Sequence, residues 1–210
     1  MRRKQIWWIV PAVIILGAAV WSQIVSSVEH PKYMVVQSQG NIQIRDYGPM
    51  IVAETEVSGD RKEAISQGFR IIADYIFGNN TSKKNVAMTA PVVQQKNEKI
   101  SMTAPVTQED DAGQWKVRFV MPARYTMITL PKPKNDAVKL LEIAGKRYAV
   151  NRFSGIASEG VLREHTEELN KFILENKIDS LSKPSYAFFN PPWTLPFLRR
   201  NEIMIEIASQ

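Results

Sequence analysis

Apolar and polar positions along this chain fall into a few periodic runs separated by proline and glycine. The first is a charge-free stretch from Ile6 to Val25. Ile42–Tyr47 and Met50–Val57 then alternate around Gly48-Pro49, which predicts two strands and a tight turn. Asp60 stands where a helix N-cap belongs, with Glu63 placed for a capping box. Beyond it Ile65, Phe69, Ile72 and Ile76 recur at helical spacing, so one apolar stripe must lie against a sheet until Gly78-Asn79-Asn80 ends the helix. Trp115–Met121, Val138–Ile143 and Arg147–Phe153 read as further strands, Ser158 as the cap of a second helix reaching about Asn176, and Ala187–Phe189 with Ile203–Ile207 as closing strands.

One sequence occurs twice: Met-Thr-Ala-Pro-Val at Met88–Val92 and again at Met102–Val106. The polar stretch Gln94–Lys99 between the copies suits a turn, so they are expected as antiparallel neighbours, Met88 opposite Val106 and Met102 opposite Val92. Pro91 and Pro105 cannot donate to a ladder and imply edge positions or bulges. The order strand, strand, helix, strand, strand appears twice in the chain. It predicts an α+β fold: a distorted antiparallel β-barrel flanked by two α-helices, with a pseudo-two-fold repeat of that unit and an N-terminal transmembrane helix.

The expected organisation is a basic cytoplasmic end at 1–5, a transmembrane anchor at 6–25, a linker at 26–32 and one globular domain at 33–210. Twenty residues of helix span about 30 Å, a bilayer core. Trp7, Trp8 and Trp21 suit its interfaces, and Arg2, Arg3 and Lys4 fix the N-terminus inside. The protein is thus expected as a single-pass membrane protein with its domain in the periplasm or otherwise outside the cytoplasm. A cleaved signal peptide ending near Val25-Ser26-Ser27 is the alternative.

Of the formal net charge of +6, three units sit at Arg2, Arg3 and Lys4, and the rest is dispersed, so nucleic acid is not an expected partner. There are no cysteines, which excludes disulfides, thiolate metal sites and cysteine nucleophiles. No nucleophile elbow, zinc-protease helix, phosphate loop or dinucleotide turn is present, and no enzymatic activity is expected. Glu54 and Glu56 share a strand face, read as solvent-exposed.

The duplicated motif, following a helix that ends in Tyr75-Ile76-Phe77-Gly78-Asn79-Asn80, resembles the SOUL-type haem-binding proteins. Ile44-Arg45-Asp46-Tyr47, Phe119-Val120-Met121-Pro122, Phe153-Ser154-Gly155 and Arg200-Asn201-Glu202-Ile203 follow in the same order, over roughly residues 29 to 208. The resemblance implies the same barrel and non-enzymatic binding of haem, another tetrapyrrole or a comparably flat apolar ligand. The expected site is a groove between the first helix and the barrel, walled by Ile65, Phe69, Ile72 and Ala73, facing Met88 or Met102, with Arg70 as the cation for propionates. Ser66 and Asp74 stand where that family can carry basic residues. His30 and His165, the two histidines, are the candidate iron ligands, with no protein ligand as the alternative. A ligand-free or effector-sensing interaction module of the same fold is the competing reading, with a protein partner at the proline-rich apolar segment 190–198.

Overall fold

The computed structural model describes residues 29–82, 98–111, 114–190 and 193–209. Strands β1 (Tyr33–Gln39), β2 (Ile42–Tyr47) and β3 (Met50–Ser58) lead into helix α1 (Arg61–Ile76) and the short β4 (Asn80–Thr81). Strands β5 (Val106–Asp111), β6 (Gln114–Val120), β7 (Lys132–Pro133), β8 (Lys139–Ile143) and β9 (Lys146–Phe153) precede helix α2 (Glu159–Glu175). Strand β10 (Ser185–Phe188), a 3-10 turn at Pro196–Leu198 and β11 (Asn201–Glu206) complete the domain.

Both helices begin where the sequence places their caps. The Asp60 carboxylate accepts from the amides of Lys62 and Glu63, and the Ser158 hydroxyl accepts from Val161. Each satisfies donors that the first helical turn leaves orphaned. The apolar stripe of α1 closes on the helix-facing residues of β3 and β6, with Ile72, Tyr75 and Ile76 packed on Ala53, Val117 and Phe119. The stripe of α2 does the same on β2, β9 and β11, with Leu162, Leu169 and Phe172 against Ile44, Ala149 and Ile203. One sheet therefore carries two cores on the same side, and its other face is left for something else.

Nine strands form that sheet in the order β1-β2-β9-β11-β10-β5-β6-β3-β8, every pair antiparallel, while β4 and β7 pair separately. Exchanging the unit β2-β3-α1-β5-β6 with the unit β8-β9-α2-β10-β11 maps the order of these eight strands onto itself. Each unit's first strand pairs within the other: β2 lies on β9, and β8 on β3.

The structure corrects several expectations. The sheet is curled and half-open rather than a barrel, because among the described residues β1 and β8 are outer strands hydrogen-bonded on one side only. Strands β2 and β3 are not a hairpin: Gly48-Pro49 carries the chain between opposite arms of the sheet. That corner packs against the one between β8 and β9, where a Cβ on Gly145 would lie 2.9 Å from the Tyr47 carbonyl. The sequence-adjacent strands that do pair among the described residues are β1–β2, turning through Gly40 at φ +57°, β5–β6 and β10–β11. Residues 83–97 lie outside the described residues, and with them the first copy of the repeated motif. In the second copy Thr103 makes only an isolated bridge to Glu29, and the strand begins at Val106.

The expected transmembrane helix, with the membrane partner and the periplasmic placement that followed from it, is likewise corrected. Among the described residues no helix is long and apolar enough to cross a membrane. Helices α1 and α2 have 16 and 17 residues and carry charged outer faces. The segment 6–25 lies outside the described residues.

Candidate functional site

Side chains alternate across a strand, so the residues that do not meet the helices line the concave face of the sheet. On β3 these are Met50, Val52 and Glu54; on β6, Arg118 and Val120; on β9, Lys146 and Tyr148; on β11, Met204 and Glu206. They surround a cavity of about 490 Å³, with Tyr33, Tyr47 and Phe189 as aromatic walls and Leu141 and Ile143 from the β8 edge. That volume lies within the range of small-molecule sites.

Its charges are arranged in two groups. Arg118 donates from Nε to Glu54 at 2.5 Å and from Nη1 to Glu109 at 2.6 Å, so two carboxylates share one guanidinium. Burial disfavours the Arg118 charge, yet the hydrogen bond and charge of Glu54, reinforced by Glu109, raise its pKa. Lys146 meets Glu206 at 2.5 Å. Counting these five groups gives three carboxylates against two cations, and Glu142 adds another carboxylate to the lining. The cavity wall is acidic on balance.

Two of its phenols, Tyr47 and Tyr148, stay neutral. Burial first, then the charge of Glu206, pushes the Tyr148 hydroxyl up to about 12. Tyr47 is raised to about 12 by burial and by Glu202, with Arg45 opposing. Arg45 sets the position of two of these rings: it donates to the Tyr47 hydroxyl at 3.2 Å and lies 4.3 Å from the centre of the Tyr33 ring. The rings of Tyr47 and Tyr148 meet edge to face at 5.7 Å.

Among the described residues, those expected from sequence lie elsewhere, apart from one. On α1, Ile72 and Ala73 are buried core, and Ile65 packs at the margin of that core. Phe69 is 37% exposed, its inner edge against Phe119 with ring centres 5.3 Å apart, and Arg70 is exposed beside it. Met102 is 39% exposed in the segment that follows the far end of the helix, and Met88 lies outside the described residues. His165 sits on the helix side of the sheet, stacked on Phe153 with ring centres 4.2 Å apart and 3.1 Å from Glu168. The hydrogen bond from Asn151 to Glu168, with the one to His165, holds that carboxyl below its usual range despite partial burial. His30 lines the concave cavity, its Nδ1 3.3 Å from the Ala104 carbonyl and its ring 5.7 Å from Phe189. Trp193, Leu195, Phe197 and Leu198 are exposed in the 193–198 loop, which is not part of the cavity lining.

Sequence reasoning missed the concave site. Glu54 is buried against Arg118 and only Glu56 is exposed, so the two carboxylates read as one solvent face have different roles. The signal available was the alternation Met50, Val52, Glu54 opposite the helix-facing Ile51, Ala53, Thr55. Among the described residues no cluster of three or more histidine or carboxylate side chains could hold a metal ion.

A family model described as SOUL heme-binding protein matches residues 28–206. Among solved structures, the chain is similar to the EcmrR C-terminal domain, at 10% identity over 85% of this chain and 99% of that one, with a TM-score of 0.59. It is similar to a chain of an EcmrR–DNA complex at 11% identity over 100% of this chain and 70% of that one, with a TM-score of 0.57. A hydrolase from Listeria innocua shares 12% identity over 82% of this chain and 94% of that one, at a TM-score of 0.50. At such identities these likenesses show the fold alone. No curated protein matches the chain.

Proposed function

This chain belongs to the SOUL heme-binding protein family, and from that premise we propose that it binds haem or a related tetrapyrrole on the outer side of α1 without transforming it. Family membership supports a non-enzymatic tetrapyrrole-binding role. The observation that carries the location is the half-exposed Phe69, an aromatic ring fixed on its inner edge by Phe119 and open on its outer one. Ile65, one turn earlier, extends the apolar strip. Lys62 and Arg70 stand exposed on the same helix as cations for two propionates.

Electrostatics separate this strip from the concave cavity. A porphyrin brings two carboxylates, and the cavity already holds more carboxylates than cations. Bringing like charges into a partly desolvated space is unfavourable. Neither histidine lies on the α1 strip, so the proposed mode uses an apolar seat and propionate contacts, with no imidazole from this chain on the iron. Residues Ile65, Phe69 and Arg70 would hold the group, with Ile72 and Ala73 backing them from the core and Met102 beyond the helix end.

Hemin titration followed at the Soret band tests the assignment. The wild type is expected to saturate, Phe69→Asp to lose saturable binding and Arg70→Glu to weaken it, while His165→Ala and Glu109→Gln bind as the wild type does. Retention of full affinity by a folded Phe69→Asp would overturn this site.

A further inference from the structure

The concave cavity is not used by that reading, yet it is the more fully built of the two sites. We infer that it is a second, separate binding site, for a flat aromatic organic cation. Three features carry this.

First, its charge is unbalanced in one direction and at one place. The Arg118 guanidinium is shared by Glu54 and Glu109, at 2.5 and 2.6 Å, so that cluster keeps one formal negative charge beyond what its own cation neutralises. The side chain of Glu54 is 6% exposed, so water screens its charge poorly. Lys146 and Glu206 cancel each other and do not redress the excess.

Second, rings form much of the remaining wall. Tyr33, Tyr47, Tyr148 and Phe189 line the cavity, and the ring quadrupole attracts a cation lying over it; Arg45 already lies over Tyr33 and Arg200 over Phe189, so Tyr47 and Tyr148 are the rings on which a ligand cation depends. The two phenols raised to about 12 remain uncharged, so they offer ring faces and no competing anion at neutral pH. Third, Val52, Leu141 and Met204 provide the apolar remainder, which an aromatic body fills better than a hydrated metal ion or a sugar does. An inorganic cation would meet only one cluster of carboxylates already engaged by arginine; a dianion would meet repulsion.

Two dyes sharing a xanthene body isolate the role of charge: rhodamine 6G is a cation and fluorescein a dianion. Fluorescence anisotropy with the full chain is expected to show saturable rhodamine 6G binding and none for fluorescein at the same concentrations. Removing the excess charge with Glu109→Gln should weaken rhodamine 6G binding about tenfold. Placing a cation in the cavity with Thr107→Arg, a half-buried position in the lining, should abolish it. Circular dichroism checks that both variants fold, and both should titrate with hemin as the wild type does, which keeps the two sites apart. Equal binding of the two dyes, failure of the wild type to bind rhodamine 6G, or unchanged affinity in a folded Thr107→Arg would each overturn the inference.

Discussion

Arg45 and Glu202, 157 positions apart in sequence, form an ion pair that almost no water reaches: Nη1 of Arg45 lies 3.0 and 2.9 Å from the two carboxylate oxygens, and the side chains are 1% and 0% exposed. Arg200 donates to the same carboxylate from its outer side. Removing Glu202 leaves the Arg45 charge buried without its carboxylate, which costs about 3–5 kcal/mol, whereas removing Arg45 leaves Glu202 still paired with Arg200 and costs less. Glu202→Gln is expected to lower the urea midpoint by the equivalent of that loss, Arg45→Met by less, and the double variant to lose less than the sum. Additive losses would show that the pair does not act as a unit.

Helix α1 lies close against the sheet at Gly68. A Cβ there would lie 2.6 Å from Cγ2 and 2.7 Å from Cβ of the buried Val117, so the whole valine would have to move. Alanine favours helix by about 1 kcal/mol over glycine, but overpacking costs about 1–3 kcal/mol. Gly68→Ala should therefore melt at a lower temperature than the wild type. A Gly68→Ala variant more stable than the wild type would refute the close contact.

Acid sensitivity follows from Asp46, which faces Arg147 across β2 and β9 and accepts from it at 2.6 and 2.7 Å. The Arg147 hydrogen bond holds its carboxyl below the usual range, against a smaller effect of burial. A carboxyl depressed in the folded state stabilises above its unfolded value of about 4 and loses that contribution as pH falls through the folded value. The stability difference between wild type and Arg147→Gln should therefore be present at neutral pH and shrink in acid. Paired denaturation curves at the two pH values measure it; a difference that grows in acid contradicts the assignment.

At the alkaline end the sign reverses in origin. Tyr47 and Tyr148 are raised to about 12, and Tyr75, buried and donating to the Pro131 carbonyl at 2.8 Å, is raised as well. Unfolded tyrosine ionises near pH 10, so stability is intact below that and falls as pH climbs towards the folded values. Tyrosinate absorbance should show these phenols ionising together with loss of the fold. Ionisation of Tyr47 or Tyr148 near pH 10 in a folded protein would refute their burial.

Much of the local structure was legible in the sequence because its causes are local. Asp60 and Ser158 cap helices by bonding their own next turn, and the spacing of Ile65, Ile72 and Ile76 is a property of one helix. Pairing was not legible. Gly48-Pro49 is a turn by composition, but what β2 and β3 bond to is decided by strands many residues away. The acidic run Val106–Asp111 has no apolar alternation, since β5 turns Thr107 and Glu109 into an acidic cavity. Glu54 looked solvated because its compensation, Arg118, lies on another strand. The stripe places Phe69 and Ile72 on one helix face, but it does not say that Ile72 and Ala73 close while Phe69 stays open.

The exchange of first strands between the two units also governs when the fold can exist. A ribosome that has released the chain through Val120 has made β3, α1, β5 and β6, yet β3 still lacks its outer neighbour, and β2, paired with β1 alone, lacks its inner one. Both vacancies close only when residues 139–153 emerge, one through β8 and the other through β9. Neither half can be finished first. Growth of this protein is therefore not a matter of adding a second half to a completed one; the nascent chain waits, and the last third of its sequence seals both arms.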